Sequence, residues 1–187
     1  ITVNGHFTVS SGATLNTGNN TITFAGNTPQ DFAVSGTIAA PGLGSVTVNK
    51  GSASALSLTG AALTITATGN LNLLAGTLND NGKTIFVAGN VSNSATHTGS
   101  GKISLNGTSQ TVSGNGSGLF QNLEISGSSG TVTASNHVNI NGNLNFSANR
   151  IFNISIYKLN IAGNATISSS SGSFGASRFI ATDGNQS

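Results

Sequence analysis

The sequence predicts an all-β chain wound as a parallel β-solenoid, and three observations carry that prediction. Apolar residues alternate with small polar ones in short segments along the 187 residues. A long unit recurs three times. Gly (26), Asn (25), Ser (27) and Thr (23) make up more than half the chain, which leaves poor material for helices and abundant material for turns.

The candidate strands run in order along the chain. They are Phe7-Thr8-Val9, Ile22-Thr23-Phe24, Val46-Thr47-Val48, Leu56-Ser57-Leu58, Leu63-Thr64-Ile65 and Leu71-Asn72-Leu73. Ile103-Ser104-Leu105, Leu123-Glu124-Ile125, Val138-Asn139-Ile140, Leu144-Asn145-Phe146 and Leu159-Asn160-Ile161 follow. Each puts two apolar side chains on one face and a polar one on the other, the period of a half-buried strand. Gly, Asn and Ser separate them. No useful stretch has the 3.6-residue period of a helix.

The repeat is read from three copies starting near residues 5, 69 and 142. Each opens with an alternating strand (Phe7–Val9, Leu71–Leu73, Leu144–Phe146). Each closes on an apolar strand followed by Ala-Gly-Asn: Gly26-Asn27, Gly89-Asn90 and Gly163-Asn164. Between copies, Phe24, Gly26, Gln30 and Phe32 align with Leu105, Gly107, Gln110 and Val112, and Gln186 echoes the same glutamine. Spacings of 64 and 73 residues divide into three coils of roughly 21–24 residues. The expectation is a right-handed solenoid of about 8–9 coils over residues 1–187, one continuous segment of a longer repetitive protein. An array of antiparallel sandwiches is the competing fold; it needs neither such frequent Gly-Asn turns nor so few aromatic residues. The core is expected from Leu71, Leu73, Ile85, Val87, Leu144, Phe146, Leu159 and Ile161. Asn27, Asn90 and Asn164 recur in phase, either as turn formers or as members of an amide ladder along the axis.

Composition excludes several functions. There is no Cys, hence no disulfide framework and no thiolate metal site. Only ten side chains are charged. The cations Lys50, Lys83, Lys102, Arg150, Lys158 and Arg178 are spread singly, unlike the clustered face of a nucleic-acid binder. No apolar run approaches the ~20 residues of a membrane-spanning helix. The acids Asp31, Asp80, Glu124 and Asp183 are far apart and read as solvated turn or strand-face residues rather than a glycosidase pair. Asn79-Asp80-Asn81-Gly82 has one carboxylate, too few for a calcium loop, and Asn81-Gly82 reads as a tight turn. His6, His97 and His137 form no cluster. Thr21-Ile22-Thr23, Thr64-Ile65-Thr66 and Thr131-Val132-Thr133 have the form of an ice-binding face, but other coils place Lys, Phe or Asn there. No catalytic residue, metal site or cofactor is expected.

Several stretches carry a family resemblance: Gly99-Ser100-Gly101-Lys102-Ile103-Ser104-Leu105-Asn106-Gly107-Thr108-Ser109-Gln110-Thr111-Val112, Leu119-Phe120-Gln121-Asn122-Leu123-Glu124-Ile125, Gly69–Leu78 and Ser177–Gly184. Together they resemble the β-strand repeat regions of very large surface proteins of Bacteroidota exported by the type IX secretion system. The resemblance implies a secreted, cell-surface adhesin or stalk. It implies glycans or abiotic surfaces as partners, and the secretion machinery during export. A carbohydrate-active β-helix and an ice-binding solenoid are the alternatives.

Overall fold

A computed structural model describes residues 1–51, 54–61 and 64–167, together with the backbone of Ser173–Gly175 and Phe179–Ala181. Leu63, Arg178, Asp183 and Gln186, and the side chains of Thr64 and Ile65, lie outside the described residues. Among those described there is no helix.

The chain winds through short strands, three to a coil. Coil 1 holds β1 (Thr2–Val3), β2 (Phe7–Val9) and β3 (Thr14–Leu15); coil 2 holds β4 (Ile22–Gly26), β5 (Gln30–Val34) and β6 (Thr37–Ile38). Coil 3 holds β7 (Val46–Lys50), β8 (Ala55–Thr59) and β9 (Thr64–Ala67); coil 4 holds β10 (Leu71–Ala75), β11 (Thr77–Asn79) and β12 (Thr84–Val87). Coil 5 holds β13 (Val91–Asn93), β14 (Thr96–Thr98) and β15 (Lys102–Leu105); coil 6 holds β16 (Gln110–Gly114), β17 (Leu119–Phe120) and β18 (Leu123–Ile125). Coil 7 holds β19 (Thr131–Ala134), β20 (Val138–Ile140) and β21 (Leu144–Phe146); coil 8 holds β22 (Ile151–Asn153), β23 (Leu159–Ile161) and β24 (Ala165–Ile167). A ninth turn begins with β25 (Ser173–Gly175) and β26 (Phe179–Ala181).

Every third strand pairs in parallel with the one a coil away. The first sheet runs β1 to β25 and the second β2 to β26, nine strands each; the third has six strands, β9 to β24, with β3 and β6 pairing apart from it. The protein is therefore a parallel β-solenoid, as the alternation and turn composition predict. The advance per coil ranges from 18 residues (Ile85 to Ile103) to 26 (Phe32 to Leu58). Loops of different length at the corners absorb the difference.

The interior is built of aliphatic columns. Ile22, Val46, Leu71, Val91 and Val112 stack on the first sheet. Leu73 lies beside Leu71 in that sheet. Ile85, Ile103, Leu123 and Leu144 stack on the third, with Val87, Leu105, Ile125 and Phe146 alongside. Leu159 and Ile161 belong to the second sheet. All of these side chains are buried.

The three sequence copies do not lie over one another. Phe7–Val9 is in the second sheet, Leu71–Leu73 in the first and Leu144–Phe146 in the third. The copies are 8 strands (β2 to β10) and 11 strands (β10 to β21) apart, neither a whole number of three-strand coils. The in-phase reading is corrected accordingly: Asn27, Asn90 and Asn164, with Gly26, Gly89 and Gly163, sit at three different corners. The repeated unit is a strand with its turn, and any side of the triangle accepts it.

Amide ladders do run along each of two corners, through different neighbours. Asn70 Oδ1 accepts from the Asn90 N–H (2.8 Å) and Asn90 Oδ1 from the Thr111 N–H (2.8 Å). At the next corner, Asn122 Oδ1 accepts from the Asn143 N–H and Asn143 Oδ1 from the Asn164 N–H, both at 2.9 Å. The bonds join side chain to backbone, so each Asn supplies an acceptor to the coil above it.

Candidate binding face

Stacking gathers the charges that look solitary in the chain. Asp80 and His97 are both fully buried, 2.8 Å apart, which corrects the reading of Asp80 as a solvated turn residue. His97 stands in the inward column of the second sheet, next to Leu78. Its Nδ1 accepts the Gln121 N–H, so Nε2 carries the proton donated to Asp80 Oδ2. Asp80 Oδ1 takes the N–H groups of Gly82 and Gly101, both at 2.8 Å. Burial alone raises the Asp80 carboxyl, but the bonds from His97, Gly101 and Gly82 outweigh it and hold the group below its ordinary value. Gly99, at φ 111°, is required here, since a Cβ would overlap Asp80 Oδ1. Asn81 and Gly82 both have positive φ, the signature of a type I′ turn.

Two corners hold buried cations, drawn from those that are spread singly in the sequence. Lys50 donates to Gln30 Oε1 and Ala25 O, both at 2.9 Å. Arg150 donates to Gln110 Oε1 (3.3 Å), Leu105 O and Thr108 O, and to Ser126 O. Each glutamine in turn donates to two carbonyls of the preceding coil: Gln30 to Val3 and Gly5, Gln110 to Val87 and Gly89. The sequence alignment found both glutamines. Their task, tying a cation to a corner where carbonyls converge, has no signature in composition. Lys83 is also buried and donates to Gly60 O. Burial lowers the pKa of Lys50 and Arg150.

The remaining pairs are on the outside. His6 and Asp31 form an exposed contact of 3.2 Å, worth little in solvent. Glu124 differs. It lies on the outer face of the third sheet yet is largely covered, correcting its reading as a solvated strand residue. Lys102 Nζ donates to Oε1 at 2.8 Å and Ser104 Oγ to Oε2 at 2.7 Å. Burial raises this carboxyl too, but Lys102, Ser104 and Ser147 together hold it below its ordinary value.

Beside this pair runs an open groove of about 290 Å³, lined by Thr84, Ser100, Lys102, Asn122, Asn143 and Asn145 among others. Its floor is the outward row Thr84, Lys102, Asn122 and Asn143, with Asn145 beside it; Phe86, Ser104 and Glu124 continue the row of Asn145 along the sheet. The groove spans four coils, roughly 14 Å at the ~4.8 Å interstrand spacing. Of the acids, Asp31, Asp80 and Glu124 each hold a separate cationic or histidine partner.

Fold and face together define a β-solenoid repeat protein with a polar groove on its third side. No protein-family model matches the chain, and neither a curated protein nor a solved structure is significantly similar to it.

Proposed function

We propose that the chain is a structural and adhesive rod segment of a large surface protein, secreted to the exterior of a Bacteroidota cell by the type IX route. The resemblance of its repeats to β-strand repeat regions supports the source and the route. One observation carries the mechanical part: two parallel sheets continue through nine strands, with most of the described charges either buried or paired. Such a rod is about 40 Å long at ~4.8 Å per coil. Its outer surface is mostly amide and hydroxyl with a few exposed aliphatic side chains such as Leu74 and Ile156, so its contacts are short-range and respond little to ionic strength. The role is passive and non-enzymatic: it holds a distal region away from the cell and contributes attachment of its own.

Microspheres coated with the chain test this reading on glass, polystyrene and polysaccharide films, at low and high salt. Attachment above that of uncoated spheres, unchanged by salt and unchanged by Asp31→Ala, is the expected result. Attachment to none of the three would overturn the adhesive part. Turnover of a polysaccharide film would overturn the non-enzymatic part.

A further inference from the structure

We propose that the groove beside Lys102 and Glu124 is a binding site for a neutral oligosaccharide; the inference deepens the adhesive reading and rests on it. Three observations converge there. The first is unspent hydrogen-bonding capacity. Asn122 is fully engaged, its Nδ2 on Gly101 O and its Oδ1 on the Asn143 N–H. Asn143 Oδ1 accepts the Asn164 N–H, and among the described residues its Nδ2 has no protein partner. Asn145 is fixed by the strand register between Glu124 and Thr166, and its carboxamide has no protein partner among the described residues. A carboxamide offers a donor and an acceptor side by side, the pattern that vicinal hydroxyls match.

The second is electrostatic. Lys102 and Glu124 cancel each other, and Glu124 is already saturated by Lys102, Ser104 and Ser147. The groove therefore has no net charge to attract an anion, while two Lys102 N–H groups remain for hydroxyl oxygens. The carboxylate holds Lys102 against the sheet, so little side-chain entropy is lost on binding.

The third is shape. The volume lies at the small end of ligand sites, about 300 Å³, and the lining runs along the axis from Thr84 to Asn143. An open groove without net charge, lined by carboxamides and hydroxyls and extended along the axis, suits a short run of sugar rings.

The test is a titration of the ¹⁵N-labelled chain with cellohexaose, maltohexaose and mannohexaose, and with trigalacturonate as the acidic comparison. Side-chain amide signals of Asn143 and Asn145 should shift saturably with at least one neutral sugar. Asn145→Ala should weaken that binding about tenfold, the scale of one or two lost hydrogen bonds, without changing the melting temperature. Thr84→Val, a second fold-neutral change, should weaken it too. No shift with any neutral hexasaccharide, shifts that survive Asn145→Ala, or tighter binding of trigalacturonate would each overturn the proposal. The microsphere assay separates the two readings. If wild type and Asn145→Ala attach equally well to polysaccharide, the groove is not the adhesive site, although the rod still adheres. If wild type attaches to nothing, the adhesive reading fails, whatever the titration shows.

Discussion

Asp80 illustrates how a single side chain governs this interior. Its carboxylate is enclosed with His97 and held by two backbone N–H groups. A group whose folded pKa is depressed contributes stability that is present above its unfolded value and lost as pH falls through the folded one. Asp80 and Glu124 are both depressed. The melting temperature should therefore be flat above about pH 5 and decline below about pH 4, where unfolded carboxylates begin to protonate. Asp80→Asn should flatten that decline and cost about 1–3 kcal/mol at pH 7, because buried donors are left poorly matched. Calorimetry across the pH range reads both effects; an unchanged acid limb would show that Asp80 is not the group responsible. Arg150 is the second case. Arg150→Ala removes the guanidinium donor from the carbonyls of Thr108 and Ser126, while Leu105 O keeps the Ser126 N–H, and should cost about 3–5 kcal/mol through the lost bonds and the desolvation penalty of the acceptors left behind. Lys158→Ala, at an exposed position, should stay within about 0.5 kcal/mol in the same urea titration. Neither residue announced itself in the sequence. Ten charges among 187 residues read as sparse decoration, because residues 17 to 25 apart in sequence become neighbours only once the coil length is known.

Strands were far more legible than charges, for a physical reason. A side of the solenoid is two or three inward residues long, so apolar-polar-apolar triplets such as Leu123-Glu124-Ile125 state the strand and its inward face together. What stayed hidden is which side each strand occupies. Phe7–Val9, Leu71–Leu73 and Leu144–Phe146 look alike because all three sheets present the same requirement, an aliphatic pair facing in and a Gly or Asn turn following. Equivalence of the sides preserved the motif and erased its phase. Strands such as Thr96–Thr98, with the single residue His97 facing in, lack the aliphatic pair and so carry no such signal. The column assignment makes its own prediction. Leu71 packs between Val46 and Val91, and Ile161 lies next to Ile140 in the second sheet. Leu71→Asp or Ile161→Asp places an unpaired charge in that interior and should abolish cooperative folding, whereas Leu71→Ala should cost about 2–5 kcal/mol. Circular dichroism on heating distinguishes them. A Leu71→Asp variant that melts like the parent would contradict the inward placement.

At the scale of the whole molecule, strands pair only with the coils above and below, and Arg150 reaches one coil further to Leu105 and Gln110, so stability is mainly a sum of local terms and nearest-neighbour contacts. The terms are unequal along the axis. In coil 1, Val3, Phe7 and Leu15 are only partly covered, while Leu73, Val91 and Ile103 in coils 4 and 5 are buried from both sides. At the other end Ile167 belongs to the Phe146 column yet is 41% exposed, because among the described residues no strand covers β24. The third side is also discontinuous. Between coils 2 and 3 an isolated bridge joins Leu43 to Ala67 in place of a paired strand, and an open groove of about 410 Å³ lined by Gly36, Ile38, Pro41 and Thr66 marks the gap. Hydrogen exchange in the 187-residue chain should therefore be graded. Amides of β10, β12, β13 and β15 should be the slowest, those of β1–β3 and β22–β24 the fastest. On the third side, protection should step down from coil 3 to coil 2 more sharply than on the first, where β4 and β7 pair over five residues. Opening from the ends would then be non-two-state, with partly unwound chains populated below the main transition. If all slow amides instead exchange through one global event at a single rate, the coils are coupled more tightly than nearest-neighbour stacking allows. The buried ties of Lys50, Asp80 and Arg150 across successive coils would then be the first place to look for the extra coupling.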